Sequence, residues 1–228
     1  MVTAAQLRHL RPVEAVHFPA SDPEWEMGES VRHGQLCDLL YYVLTHALGE
    51  EHTAGHDQFV YFDAGDPRRK CAPDVFVKLG VAPVAFDSWK TWEQGTPELC
   101  VEILSPSDTK EKLGWEQKMK RYRAIGVAEV VSFDLDAPSG TRLRVWDRID
   151  GDLVERLVEN ETTPCLTLGA YWVIVPSRGL ATAEYPAALR LARDPAGREL
   201  LPTREEAVLA GAQAEIERLR AELAAARR

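Results

Sequence analysis

Three charged side chains stand among neighbours that do not suit them. Asp74 lies in the run Ala72-Pro73-Asp74-Val75-Phe76-Val77, Glu102 in Cys100-Val101-Glu102-Ile103-Leu104, and Lys118 on a downstream helical stretch. An unpaired charge in such apolar surroundings is costly, so it shifts its pKa or finds a counter-charge. Asp74 either caps a turn before its strand or ligates a metal at a sheet edge. Glu102 either reaches solvent at a strand end or meets a metal ion or a basic side chain. At about 100° per residue, Lys118 falls between Tyr122 and Ile125, on the arc that also holds Trp115 and Met119, while Lys120 points away. Such a lysine either snorkels or meets an anion. Two carboxylates can hold a hard divalent cation such as Mg²⁺ or Mn²⁺. A lysine beside them can orient the attacking water and offset phosphate charge, which outlines a phosphodiester hydrolysis site.

Other candidates weigh less. His33 shares a helix face with Leu36 and is either packed under a sheet or accessory to the site. Ser105 follows the Glu102 strand and either turns the chain or contacts phosphate. His52 and His56 lie in a polar stretch, and Asp134 reads as a turn residue. Cys37, Cys71, Cys100 and Cys165 form no Cys-x-x-Cys pair, so buried reduced thiols are expected rather than a zinc knuckle. No P-loop or nucleophile-elbow pattern occurs.

The elements that must position these residues follow from periodicity. Leu36, Leu40, Val43 and Ala47 make one stripe of a helix ending at Gly49. Strands are expected over Gln58–Phe62, Asp74–Leu79, Leu99–Leu104, Glu129–Asp134, Arg142–Asp147 and Tyr171–Val175. A helix runs from an N-cap near Ser107 to Gly126. Pro83 to Gly95 reads as a loop or short helix, and Asp150-Gly151 as a hairpin turn. A capping box, Thr203-Arg204-Glu205-Glu206, opens a last helix. Within it Leu209, Ala212, Ile216, Leu219, Leu223 and Ala226 form an a/d seam too short to be stable alone. Such a seam packs on a second copy, a partner or the domain, and a homodimer is the economical use of it. The expected organisation is an N-terminal segment (1–30), a main domain (31–176), a connecting segment (177–202) and a C-terminal helix (203–228).

Composition bounds the function. The 228 residues are 45% hydrophobic with a net charge of −9. That excludes wholesale disorder, and it excludes a basic protein that coats DNA through phosphate neutralisation. No window is long and apolar enough to span a membrane, and the charged N-terminus lacks a signal-peptide core, so a soluble cytoplasmic protein with no membrane partner is expected.

The chain resembles the Uma-type endonuclease family within the PD-(D/E)XK, or restriction-endonuclease-like, superfamily. The resemblance is carried by Ala72-Pro73-Asp74-Val75, by Ser88-Trp89 with Trp92-Glu93, by Pro97 through Ser107, by Lys118 to Tyr122, and by Gly126-Val127-Ala128-Glu129 onward to Asp134. His33 fits as well. The resemblance covers roughly residues 30–175 and implies an α/β fold, a mixed sheet flanked by helices, here with a C-terminal helical extension. It implies Asp74 and Glu102 as metal ligands, with the backbone carbonyl of Ile103 as a third. In the superfamily signature a lysine stands two residues after the glutamate, but here that position is Leu104. The family pattern implies that the lysine role has moved to Lys118; if it has not, the site binds metal without cutting. The expected function is Mg²⁺-dependent endonucleolytic cleavage of DNA. The alternatives are a non-catalytic nucleic-acid-binding or regulatory protein on the same fold, or a structural protein assembled through the C-terminal seam.

Overall fold

The computed structural model describes residues 16–18, 31–104, 114–176 and 187–226. Helix α1 (Val31–Leu48) starts slightly before the apolar stripe and buries Leu36, Leu40, Val43 and Leu44. It ends at Gly49, whose φ of 66° suits glycine best. The central sheet has six strands in the order β1 (Thr53–His56), β4 (Val75–Lys78), β6 (Leu99–Leu104), β7 (Glu129–Asp134), β8 (Leu143–Ile149) and β9 (Asp152–Arg156). Among its described strands β6 and β7 run parallel, and the other neighbours run antiparallel. A parallel pair needs a crossover, and helix α3 (Trp115–Ile125) lies within that connection.

The sheet is buried on both faces. Val75, Val77, Val101, Ile103, Val131 and Phe133 pack toward α1. Phe76, Cys100, Val130 and Trp146 pack toward Met119, Tyr122 and Ile125 of α3. Glu102 alternates with Ile103 and so shares the α3 face with Cys100. Two small sheets flank this body: β3 (Lys70–Cys71), β2 (Val60–Tyr61) and β5 (Trp89–Lys90), the last leading into the short helix α2 (Thr91–Gln94), and β10 (Thr162–Cys165), β11 (Ala170–Val175) and β12 (Ala188–Ala192).

The strands at Leu99–Leu104 and Glu129–Asp134 stand where their patterns place them. Asp150-Gly151 makes the two-residue β8–β9 turn, with φ of 52° and 86°. Three expectations need correction. The crossover helix begins at Trp115 after an extended Gly114, well past Ser107, and residues 105–113, Ser105 and Ser107 among them, lie outside the described residues. The polar stretch around His52 and His56 holds β1, an edge strand that needs little apolar surface of its own. There Gly55 faces Phe76 so closely that a Cβ would stand 2.4 Å from the ring. The segment read as a connection contains β12, every residue of which is buried against β11 and the α1 core. Its polar member, Arg190, disguises that burial. Arg190 bonds Glu206 at 2.7 Å and the Leu201 carbonyl at 2.7 Å, tying β12 to the start of helix α4 (Arg204–Ala226). The capping box that opens α4 is formed: the Thr203 amide donates to Glu206 at 2.8 Å, and the Glu206 amide to Thr203 Oγ1 at 3.3 Å.

Candidate active site

The site begins with a register. Pairing of Val75 with Val101 brings Asp74, one residue before β4, level with Glu102 on β6. There the neighbouring strand has not yet started, so the edge of β6 is open on that side. The Ile103 amide fills the gap by donating to Asp74 Oδ2 at 2.5 Å. The amide and carbonyl of one strand residue point to the same side. The Ile103 carbonyl therefore faces the same opening as Asp74.

Glu102 is 1% exposed. Lys118 Nζ donates to its Oε2 at 2.8 Å, and the Tyr122 hydroxyl donates to Oε1. Lys118 and Tyr122 are one helical turn apart, so the inward arc of α3 delivers both donors together. Lys118 thus lies on the arc that helical spacing gives it, and its ammonium meets an anion rather than snorkelling to water. Burial, and then the charge of Glu102, push the Tyr122 hydroxyl well above its usual range, which keeps it a proton donor to Glu102.

Asp74 has weaker support. His33 Nε2 lies 3.2 Å from Asp74 Oδ2. Burial first, and then the Glu102 charge, push the Asp74 carboxyl up to about 7, against the lowering effect of His33 and Lys118. Two carboxylates are thus held together with too little positive charge around them, a donor set that fits a hard divalent cation. His33 and Cys37, one turn apart on α1, approach the same aspartate, with their ligand atoms and its oxygen all within 4.8 Å of one another. Burial pushes the Cys37 thiol up to about 12, so it stays protonated and is a poor ligand near neutral pH.

The fold therefore brings together Asp74, Glu102, Ile103, Lys118 and His33. Leu104, the last residue of β6, pairs with Asp134 of β7. Asp134 accepts from the amides of Asp136 and Ala137 and so serves a turn. Tyr122 escaped the sequence reading because its ring belongs to the apolar face of α3; its place one turn after Lys118 was the available signal. Ser132, 1% exposed and paired with Glu102 across β6–β7, left no signal of its own.

A mixed sheet with one crossover helix, two buried carboxylates at an open strand edge and a lysine from that helix define a restriction-endonuclease-like fold. The Uma2 family, described as "Putative restriction endonuclease", matches residues 24–177, and the chain belongs to that family. Among solved structures it is similar to a crystal structure titled as a "putative nuclease" of the DUF820 group from Anabaena variabilis. The identity is 13% and the TM-score 0.45, over 63% of this chain and 76% of that one. No curated protein sequence matches the chain. No helix among the described residues is long and apolar enough to cross a membrane.

Proposed function

We propose that the protein is an endonuclease that hydrolyses DNA phosphodiester bonds with Mg²⁺ or Mn²⁺. The observation that carries this reading is Glu102, fully buried between Lys118 and Tyr122 and level with an aspartate whose carboxyl is pushed up to about 7. Asp74, Glu102 and the Ile103 carbonyl would hold the ion. When bound, the ion supplies Lewis-acid polarisation of the phosphate and a more acidic water. Tyr122 fixes the Glu102 carboxylate by donating to one oxygen. Lys118 holds the other, and its ammonium is placed to position water and to stabilise charge on the phosphate oxygens. His33 is accessory, orienting Asp74 from the opposite face of the sheet.

One observation favours the non-catalytic alternative, in which the fold binds nucleic acid or regulates without cutting. The strand position two residues after Glu102 holds Leu104, and Lys118 reaches the site already bonded to Glu102. Nicking of supercoiled and branched DNA with Mg²⁺ or Mn²⁺ decides between them, comparing wild type, Lys118→Met and Lys120→Met. The expected result is strong loss of nicking for Lys118→Met with metal-induced stabilisation retained, and little change for Lys120→Met. Equal cutting by Lys118→Met would make the lysine structural. Metal binding by a wild type that cuts none of these substrates would favour the alternative.

A further inference from the structure

Helix α4 is the longest of the described elements. At 23 residues it is about 34 Å long, and none of its residues is buried. Leu209, Ile216, Leu219 and Leu223 are between 48% and 62% exposed. The first turn is fixed by the Thr203–Glu206 capping box and the Arg190–Glu206 ion pair. The helix is therefore held at its base, and its apolar seam faces solvent. A preformed helix loses less conformational freedom on pairing than a disordered tail would.

The residues beside the seam identify what covers it. Leu209, Ile216 and Leu223 take the a positions, and Ala212, Leu219 and Ala226 the d positions. Glu215 and Glu222 then fall at g, and Gln213 and Arg220 at e. In two parallel, in-register helices, each g residue meets the e residue of the following heptad on the other copy. Glu215 would meet Arg220. In the antiparallel arrangement glutamate would meet glutamate. Ile at a with Leu at d, as in the Ile216–Leu219 layer, also favours parallel two-stranded pairing. Within one helix, Arg218 on the outer face pairs with Glu215 at 2.6 Å and Glu222 at 2.5 Å. Arg220 makes no ion pair among the described residues.

We propose that the seam is covered by the same helix of a second copy, in a parallel, in-register, two-stranded coiled coil. The arrangement is two-fold symmetric and closed. It sets both sheet domains at the same end of the coil, with their Asp74–Glu102 sites related by the dyad. Where the nuclease reading holds, that symmetry matches the two-fold relation of the two backbones of a DNA duplex and suits cleavage of both strands. The seam is less than three heptads long and alanine fills two of its d positions, so the dimer should be reversible, in the micromolar range.

The test uses the full chain and reads assembly, independently of any nuclease activity. Sedimentation across the micromolar range should show a monomer–dimer equilibrium, which Leu219→Asp abolishes. Glu215→Arg should weaken association several-fold, and adding Arg220→Glu should restore it. Ala212→Cys should form a disulfide-linked dimer on mild oxidation, because equivalent d positions meet only in the parallel register. The four native cysteines are buried and free, which keeps the background low. A monomer at every concentration overturns the proposal, as does a dimer that survives Leu219→Asp. Cross-linking of Ala212→Cys only to a Leu223→Cys copy would establish the antiparallel arrangement and overturn it as well.

Discussion

Two fully buried glutamates sit on adjacent parallel strands and do opposite things. Glu129 begins β7 and faces α1; Glu102 lies farther along β6 and faces α3. Each is 1% exposed, and each has a second carboxylate and one cation close by. At Glu129 the cation serves both acids: Arg156 lies 3.6 Å from Glu129 and makes two bonds to Asp147. Glu129 also accepts from the amide and hydroxyl of Thr167 at 2.9 and 2.8 Å, and Arg156 reaches the Pro164 carbonyl. That network joins β7, β8 and β9 to the β10–β11 region. At Glu102 the ammonium of Lys118 is bonded to the glutamate, while Asp74 rests on an amide and an imidazole and its carboxyl is pushed up to about 7. A buried carboxylate by itself says little about function. A carboxylate pair whose charge the fold leaves under-compensated is the contrast on which the proposed metal site rests.

Substitutions can break that contrast, and the largest effect should fall on the Glu129–Arg156 network. Arg156→Met leaves Glu129 buried without its counter-charge, which should cost about 3–5 kcal/mol of stability, read by chemical denaturation. The protein that remains folded should still nick DNA at the wild-type rate; a specific loss of nicking would link the two clusters. At the open site the balance reverses. Glu102→Gln should lower nicking by roughly 10²–10³-fold and remove the rise in thermal midpoint with Mg²⁺ or Mn²⁺, while the protein stays folded. An unchanged metal response in that variant would take Glu102 out of the metal site.

The third test uses pH. Burial, and then the Glu102 charge, push the Asp74 carboxyl from its ordinary 3.8 up to about 7 in the fold. Between these values the folded chain keeps a proton that the unfolded chain has released, so stability falls as pH rises through this window. Without metal, Asp74→Asn should flatten that fall and leave the protein on the order of 2 kcal/mol more stable than wild type near pH 7.5. With metal, the order should reverse. Parallel pH curves for the two proteins would show that Asp74 is adequately compensated after all. The smallest effect concerns the helix that carries Lys118 and Tyr122. Gly126 ends it at a φ of 94°, with its amide on the Tyr122 carbonyl. Gly126→Ala should cost about 1 kcal/mol in thermal or chemical unfolding and lower nicking only slightly.

Much of this site was legible in the residues themselves. A glutamate amid Cys100, Val101, Ile103 and Leu104 is anomalous on any strand, and helical spacing alone turns Lys118 inward. Tyr122 was not legible, because a tyrosine on an apolar face looks like packing until its hydroxyl is seen to reach an anion. Glu129 was hidden for the opposite reason: it stands at a strand start where a carboxylate seems cheap, and its partners Arg156 and Thr167 are distant in sequence. β12 was missed because prolines surround it and Arg190 interrupts it, and the ion pair that makes that arginine acceptable lies on α4.

Local pattern alone determined the central strands, the β8–β9 turn, the capping box and the helix that it opens, since each rests on side-chain periodicity or on backbone preferences within a few residues. Tertiary structure alone decided that Asp74 comes level with Glu102, that the Ile103 amide closes the gap between them, and that Glu129 is compensated where Asp74 is not. Those outcomes depend on strand order and register, and pairings between distant segments are set by the packing of the whole sheet rather than by any stretch of sequence.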